Sequence, residues 1–337
     1  MPKVSIIVPL YNKSKYISST LDSIKKQKFR NFEVIIVNDG STDNSLEIVR
    51  ENIEGDARFL IVDIQNSGVS NARNTGMKYA KGEWIQFLDG DDLIDEKYLE
   101  SVIELVEGKD IDIVFTNFLM IDENKNKVKK VETLLEGIYN QEELCKDFII
   151  RQYKNGFYGY ISNKLIRRSS LLKAKAKFPV NISLAEDLDF YAHVYPIVDK
   201  VYFSSINSFY YLQTDSNYLN NFSIDYFSQL KIHLDIKQWF VQVGQYEKYK
   251  KTIDKKIGEY VYFVLFHEYE KSKNIEKQFK KVIKNEEVMN SIVPEYFNGF
   301  ERNVLKAVRN KKLNKLKILF DIRGIIRFVY RRIRKNG

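Results

Sequence analysis

Over the first 115 residues, short β-branched or aromatic runs alternate with amphipathic stretches, and this alternation restricts the fold more than any other feature of the chain. The runs are Val4 to Val8, Glu33 to Val37, Phe59 to Asp63, Trp84 to Leu88 and Ile111 to Phe115; the stretches between them include Tyr16 to Lys28 and Ser45 to Asn52. The pattern predicts βαβ units, hence an α/β domain with a mostly parallel sheet flanked by helices. Ligands of such sheets lie beyond the carboxyl ends of the strands. The residues after each strand therefore converge on one edge: Pro9-Leu10-Tyr11-Asn12, Asn38 to Asp43, Gln65-Asn66-Ser67-Gly68 and Asp89-Gly90-Asp91-Asp92.

The last of these packs three carboxylates at the end of a buried strand. Like charges so close raise one another's pKa or require a positive partner, and a hard divalent cation with oxygen ligands is the usual one. Side chains two apart on a strand point the same way, so Asp89 and Asp91 can share an ion while Asp92 faces elsewhere. Taken alone, the stretch reads equally well as a strand-to-helix turn with an aspartate capping a helix near Asp95-Glu96. A dinucleotide fold would show G-x-G-x-x-G after the first strand, where this chain has Pro9-Leu10-Tyr11-Asn12, and no phosphate-loop motif occurs. What remains is a nucleotide held by side chains and a metal.

After residue 115 the pattern changes. Phe118 to Val131 reads as a hairpin, Gln141 to Gln152 as a helix, Gly156 to Tyr160 as an aromatic loop, and helical periodicity runs from about Ile224 onward. The expected division is a domain over 1–220, in two halves of 1–115 and 116–220, followed by a helical region over 221–337. Hydrophobic residues make up 44% of the chain and aromatics 14%, which excludes disorder. The longest apolar run, Tyr260 to Phe266, is far short of the ~20 residues of a membrane span. The amino terminus lacks a signal-peptide stretch, and the single cysteine, Cys145, fits a reducing compartment, so the expected location is the cytoplasm or the inner membrane face.

Four segments in this order and spacing, Val4 to Asn12, Val37 to Asp43, Asn66 to Gly76 and Phe87 to Asp92, resemble a family 2 glycosyltransferase of GT-A fold, over roughly residues 3–215. The resemblance implies inverting transfer of one sugar from a nucleotide sugar, UDP foremost, to a hydroxyl of a bacterial surface polysaccharide or glycoprotein glycan. It places Pro9, Tyr11, Asp39, Asn66, Arg73, Asp89 and Gly90 around the nucleotide sugar, with Tyr11 stacking near the base and Asp39 accepting hydrogen bonds from base or ribose. Asp91, with Asp89, would hold Mn²⁺ or Mg²⁺. Glu186-Asp187 resembles the pair that supplies the family's base, Asp187 acting and Glu186 orienting it or the acceptor. An acidic first helical turn reads from the same residues. Lys164 would contact the acceptor or the diphosphate, and Tyr158 and Tyr160 would face the acceptor; a solvated lysine and core aromatics are the alternatives. Arg73 has a helix-surface alternative, and Asp43 and Ser45 read better as helix caps. His193, His233 and His267 show no ligand spacing.

Asn38 stands where relatives often carry a second aspartate, and the glutamine-x-x-arginine-tryptophan motif of processive synthases is missing: Trp239 follows Lys237-Gln238. Single addition is therefore expected. A sugar nucleotidyltransferase would want a glycine-rich basic loop after the first strand, and a silent carbohydrate- or nucleic-acid-binding protein would not need the acidic cluster; no nucleic-acid module is legible.

The net charge of +9 belongs to the carboxyl-terminal end. From Arg302 to Gly337 thirteen Lys or Arg face one acid, Asp321, which leaves the first 301 residues with 41 basic and 44 acidic. Within 313–337, Ile322, Ile325, Ile326, Val329 and Ile333 follow one helical stripe and Arg323, Arg327, Arg331 and Arg334 another. An interfacial helix on an anionic membrane is one reading. A helix docking its apolar stripe on the protein, or on a second subunit of a homo-oligomer, is the other.

Overall fold

A computed structural model describes all residues except 125, 181, 183, 214–225 and 324–337, and the side chain at 208. The chain divides into two compact units, Met1–Phe222 and Ser223–Gly337.

The first unit runs β1 (Val4–Leu10), α1 (Ile17–Lys25), β2 (Phe32–Asp39), α2 (Ser45–Ile53), β3 (Phe59–Ile64), α3 (Val69–Tyr79), β4 (Trp84–Phe87), β5 (Leu93–Ile94), α4 (Tyr98–Val106), β6 (Ile113–Ile121), β7 (Lys127–Val131), β8 (Gly137–Asn140), α5 (Gln141–Asn155), β9 (Lys164–Arg167), α6 (Arg168–Lys173), α7 (Glu186–Val194) and β10 (Lys200–Leu212). One ten-stranded sheet is ordered β3-β2-β1-β4-β9-β6-β10-β5, with β7 on β6 and β8 on β10. Pairing is parallel from β3 through β4 and again between β6 and β10, and turns antiparallel on both sides of β9. Every residue of β1 is buried, as in a parallel strand covered on both faces, and its one polar side chain, Ser5, donates to Glu33 at 2.6 Å.

Two glycines set how closely the site-bearing elements approach. α3 lies against β1 so tightly that a Cβ at Gly76 would sit 2.3 Å from Ile7 Cγ2. Gly40, at φ +67°, carries the chain out of β2 in a left-handed turn, and a Cβ there would lie 2.9 Å from the Asn66 nitrogen. The loops after β2 and β3 thus abut, as ligand-binding loops at one sheet edge must.

The second unit is helical over Tyr226–Gln242, Tyr246–Ser272, Glu276–Lys284, Glu286–Ser291, Gly299–Arg309 and 313–323. No helix among the described residues is long and apolar enough to cross a membrane.

Candidate active site

The loops beyond β1, β2 and β3 are tied to one another by short polar side chains. Asn12 accepts from the Thr42 amide at 2.8 Å, and Asp43 accepts from Ser14 N at 3.1 Å and Ser45 N at 3.0 Å. Burial pushes the Asp43 carboxyl up, but the hydrogen bonds from Ser45 and Ser14 outweigh it and bring the value down to about 2. Asp43 thus holds the start of α2 and a neighbouring loop together. Asn38 is committed to structure as well: its amide donates to Asp63 at 2.8 Å and its oxygen accepts from Ser41 N at 3.2 Å.

Asp39 is buried and accepts from the amides of Ser67 and Gly68, each at 2.8 Å. A carboxylate has about four acceptor positions, so capacity remains for a ligand at this edge. Tyr11, 43% exposed, and Asn66 flank it on the surface, whereas Pro9 and Gly90 are buried, and a Cβ on Gly90 would meet the Pro9 carbonyl at 3.2 Å.

Arg73, projecting from α3, is the hub. Its guanidinium is 3% exposed and donates to Asp89 at 2.8 Å, to Asp187 at 2.6 Å and to Glu186 at 3.5 Å. It is therefore not a helix-surface arginine. The Phe178 ring supports the guanidinium at 5.3 Å and is itself stacked on Phe190 with centroids 3.9 Å apart. Asn74 clamps Phe178 from both sides of the peptide, donating to its carbonyl at 2.9 Å and accepting from its amide at 2.8 Å. Glu186 and Asp187 open α7 just after Ala185, whose φ of +62° is unusual for a residue with a Cβ. Burial pushes the Asp187 carboxyl up to about 8, against the pull of Arg73 and with Glu186 adding to the rise. Only the ionised carboxylate can take a proton, and with a value of about 8 that form grows in above neutral pH.

Two carboxylates of the acidic cluster after β4 have a protein cation beside them, which answers part of the charge that the sequence assigns to an ion. Arg73 pairs with Asp89 while also holding Glu186 and Asp187, and the Lys13 ammonium is paired with Asp91. Burial raises the Asp91 carboxyl and Lys13 opposes the rise. Asp92 is fully buried and accepts from the Leu212 amide at 3.2 Å and the Ser162 hydroxyl at 3.4 Å, so it ties the turn to β10.

The acceptor-side assignments require correction at two positions. Tyr158 is completely buried among Phe115, Phe148 and Tyr195 and donates to Asp147 at 2.7 Å. Lys164 is likewise 0% exposed; its ammonium donates to the Tyr160 carbonyl and to Asn163 Oδ1, and lies 4.1 Å from the Tyr191 ring. Burial pushes its pKa well below the usual lysine range, with Asp187 opposing. It is neither solvated nor aimed at an acceptor. Tyr160 is half-buried, edge-on to Phe118 at 4.6 Å. Lys13, Asn74 and Phe178 escaped the sequence reading: each acts through a partner 78 or more positions away, apart from the position of Asn74 beside Arg73.

Residues 5–173 match the family model described as glycosyl transferase family 2. Among curated proteins, the uncharacterized glycosyltransferase EpsJ of Bacillus subtilis is 29% identical over 249 residues, covering 74% of this chain and 71% of that protein. The minor teichoic acid biosynthesis protein GgaB of the same organism is 42% identical over 115 residues, 33% of this chain and 13% of its own. Among solved structures, S. aureus TarS 1–349 in complex with UDP-GlcNAc superposes with a TM-score of 0.71 at 20% identity, covering 95% of this chain and 90% of that one. With the four motif segments on one sheet edge and the family model matching half of its length, the chain belongs to glycosyl transferase family 2.

Proposed function

We infer that the protein moves one sugar from a UDP-sugar to an acceptor hydroxyl, with inversion, in the assembly of a bacterial surface glycan. The observation that carries this reading is the Arg73 hub, which brings Asp89 of the donor-side cluster and Asp187 of α7 onto one buried guanidinium. Supporting it are the UDP-GlcNAc named in the TarS complex and the teichoic acid assembly named for GgaB.

In this reading Pro9, Tyr11, Asp39 and Asn66 hold the nucleoside, Arg73 fixes Asp89 toward the ribose, and Gly90 lets the Asp89–Asp91 turn pack against the Pro9 carbonyl beside the sugar. Asp187 accepts the acceptor's proton as the hydroxyl oxygen attacks the anomeric carbon; the bond to the diphosphate breaks on the opposite face, and the nucleoside diphosphate leaves. Glu186 orients Asp187 or the acceptor. Asp91 and Asp89 offer the hard oxygen donors that Mn²⁺ or Mg²⁺ takes and would hold such an ion. When bound, it would neutralise charge on the departing diphosphate.

Hydrolysis of a panel of UDP-, GDP- and dTDP-sugars tests the donor assignment. Release of UDP well above the other two nucleotides is expected. A GDP or dTDP preference, or no turnover with any donor, would overturn it.

A further inference from the structure

An ordinary surface helix hides its aliphatic side chains and shows its charges to water. The helix over 313–323 does the reverse on one of its faces. Leu316 and Phe320 are buried, Phe320 against Phe266, Tyr269 and Phe300. Arg323 also turns inward and lies over the rings of Tyr262, Phe266 and Phe300 at 5.6, 5.0 and 4.7 Å. Ile318 and Ile322, one helical turn apart, remain 58% and 49% exposed.

The sequence periodicity separates an isoleucine stripe from an arginine stripe without saying which one meets the protein. At Ile322 and Arg323 the answer is the arginine. Docking of the isoleucine stripe on the chain's own helices is thereby corrected at its first residue, Ile322; Ile325, Ile326, Val329, Ile333, Arg327, Arg331 and Arg334 lie outside the described residues.

The surroundings of the isoleucine pair select its occupant. Lys315 precedes Ile318 by three residues and Ile322 by seven, which places all three on one helix face. Lys311 and Lys312 are exposed just before the helix. Between Arg302 and Arg323 eight basic residues face one acid, Asp321, and that acid accepts from the Tyr269 hydroxyl. A second copy docked on this face about a two-fold axis would set one basic strip against its twin. Nucleic acid would answer the lysines but leaves the isoleucines without a partner. We propose that the face formed by Lys315, Ile318 and Ile322, with Lys311 and Lys312 beside it, seats on an anionic lipid bilayer, isoleucines in the acyl boundary and lysines among the headgroups.

Co-sedimentation of the full chain with vesicles of phosphatidylglycerol and phosphatidylcholine, against phosphatidylcholine alone, tests this. The wild type should bind the anionic vesicles at least tenfold more tightly and release at high salt. Ile318→Ser/Ile322→Ser keeps every charge, sits on the surface, and should weaken binding at least tenfold with Tm and donor hydrolysis unchanged. Lys311→Gln/Lys312→Gln/Lys315→Gln should lose most of the salt dependence. Wild-type affinity in the serine variant, equal binding to neutral vesicles, or no binding would overturn the proposal. So would a shift from dimer to monomer in the serine variant by sedimentation equilibrium, which would give the face to a second copy.

Discussion

Two ionic clusters, one in each unit, differ in a way that separates chemistry from architecture. In the helical unit the Lys237 ammonium faces one carboxylate, Asp254, at 3.9 Å, while Ser291 and Tyr246 complete the group at 2.8 Å each. Charge balances there and Asp254 is 0% exposed. Around Arg73, one guanidinium faces three carboxylates whose side chains are 18–28% exposed. Folding alone gives no reason to set three carboxylates on one guanidinium, whereas a reaction that takes up a proton does.

If that contrast is right, activity should be sensitive on one side of it and insensitive on the other. The largest expected effect is at Asp91: Asp91→Asn should abolish transfer, and EDTA should do the same to the wild type. Full turnover after both treatments would remove the metal from the account. Next is pH. Because Asp187 must be ionised to act and burial lifts it to about 8, kcat should rise with pH through that value and level above it; a profile already flat below pH 7 would move the base elsewhere. Smaller again is Lys13→Met, which frees Asp91 from its ammonium and should tighten Mn²⁺ binding without nucleotide by about tenfold in calorimetry, the worth of roughly one close charge. Unchanged Mn²⁺ affinity would mean that the pair does not compete with the ion. The smallest effect on catalysis belongs to the balanced cluster: Asp254→Asn should lower stability by about 3 kcal/mol, as for a broken buried pair, yet leave kcat of the folded enzyme within about twofold. A large loss of kcat there would erase the distinction between the clusters.

Legibility in the sequence follows the same division between local and distant causes. β1, β2 and β4 show in the chain because strands buried on both faces are nearly continuous apolar runs, the edge strand β3 shows by its aliphatic and β-branched residues alone, and the polar residues after them mark the ligand edge by position. Asp187 was reachable because a resemblance joined a motif, not because its neighbours predict Arg73, 114 positions away. Lys13 and Phe178 carry no local mark at all. Tyr158 and Lys164 were misplaced for a related reason. An aromatic loop with glycines reads alike whether it faces sugar or core, and a lysine with no solvent exposure is rare enough that burial is not the first reading. Which helix face meets the protein at Ile322 and Arg323 is decided by Tyr262, Phe266 and Phe300, far from the helix in sequence.

The central claim is that the surplus carboxylate on Arg73 is the base. Asp187→Asn tests it most directly, because asparagine still accepts from Arg73 but does not take a proton. The account predicts kcat lower by about 10²–10⁴ with affinity for the UDP-sugar changed less than about threefold. A variant that turns over at near the wild-type rate would contradict it.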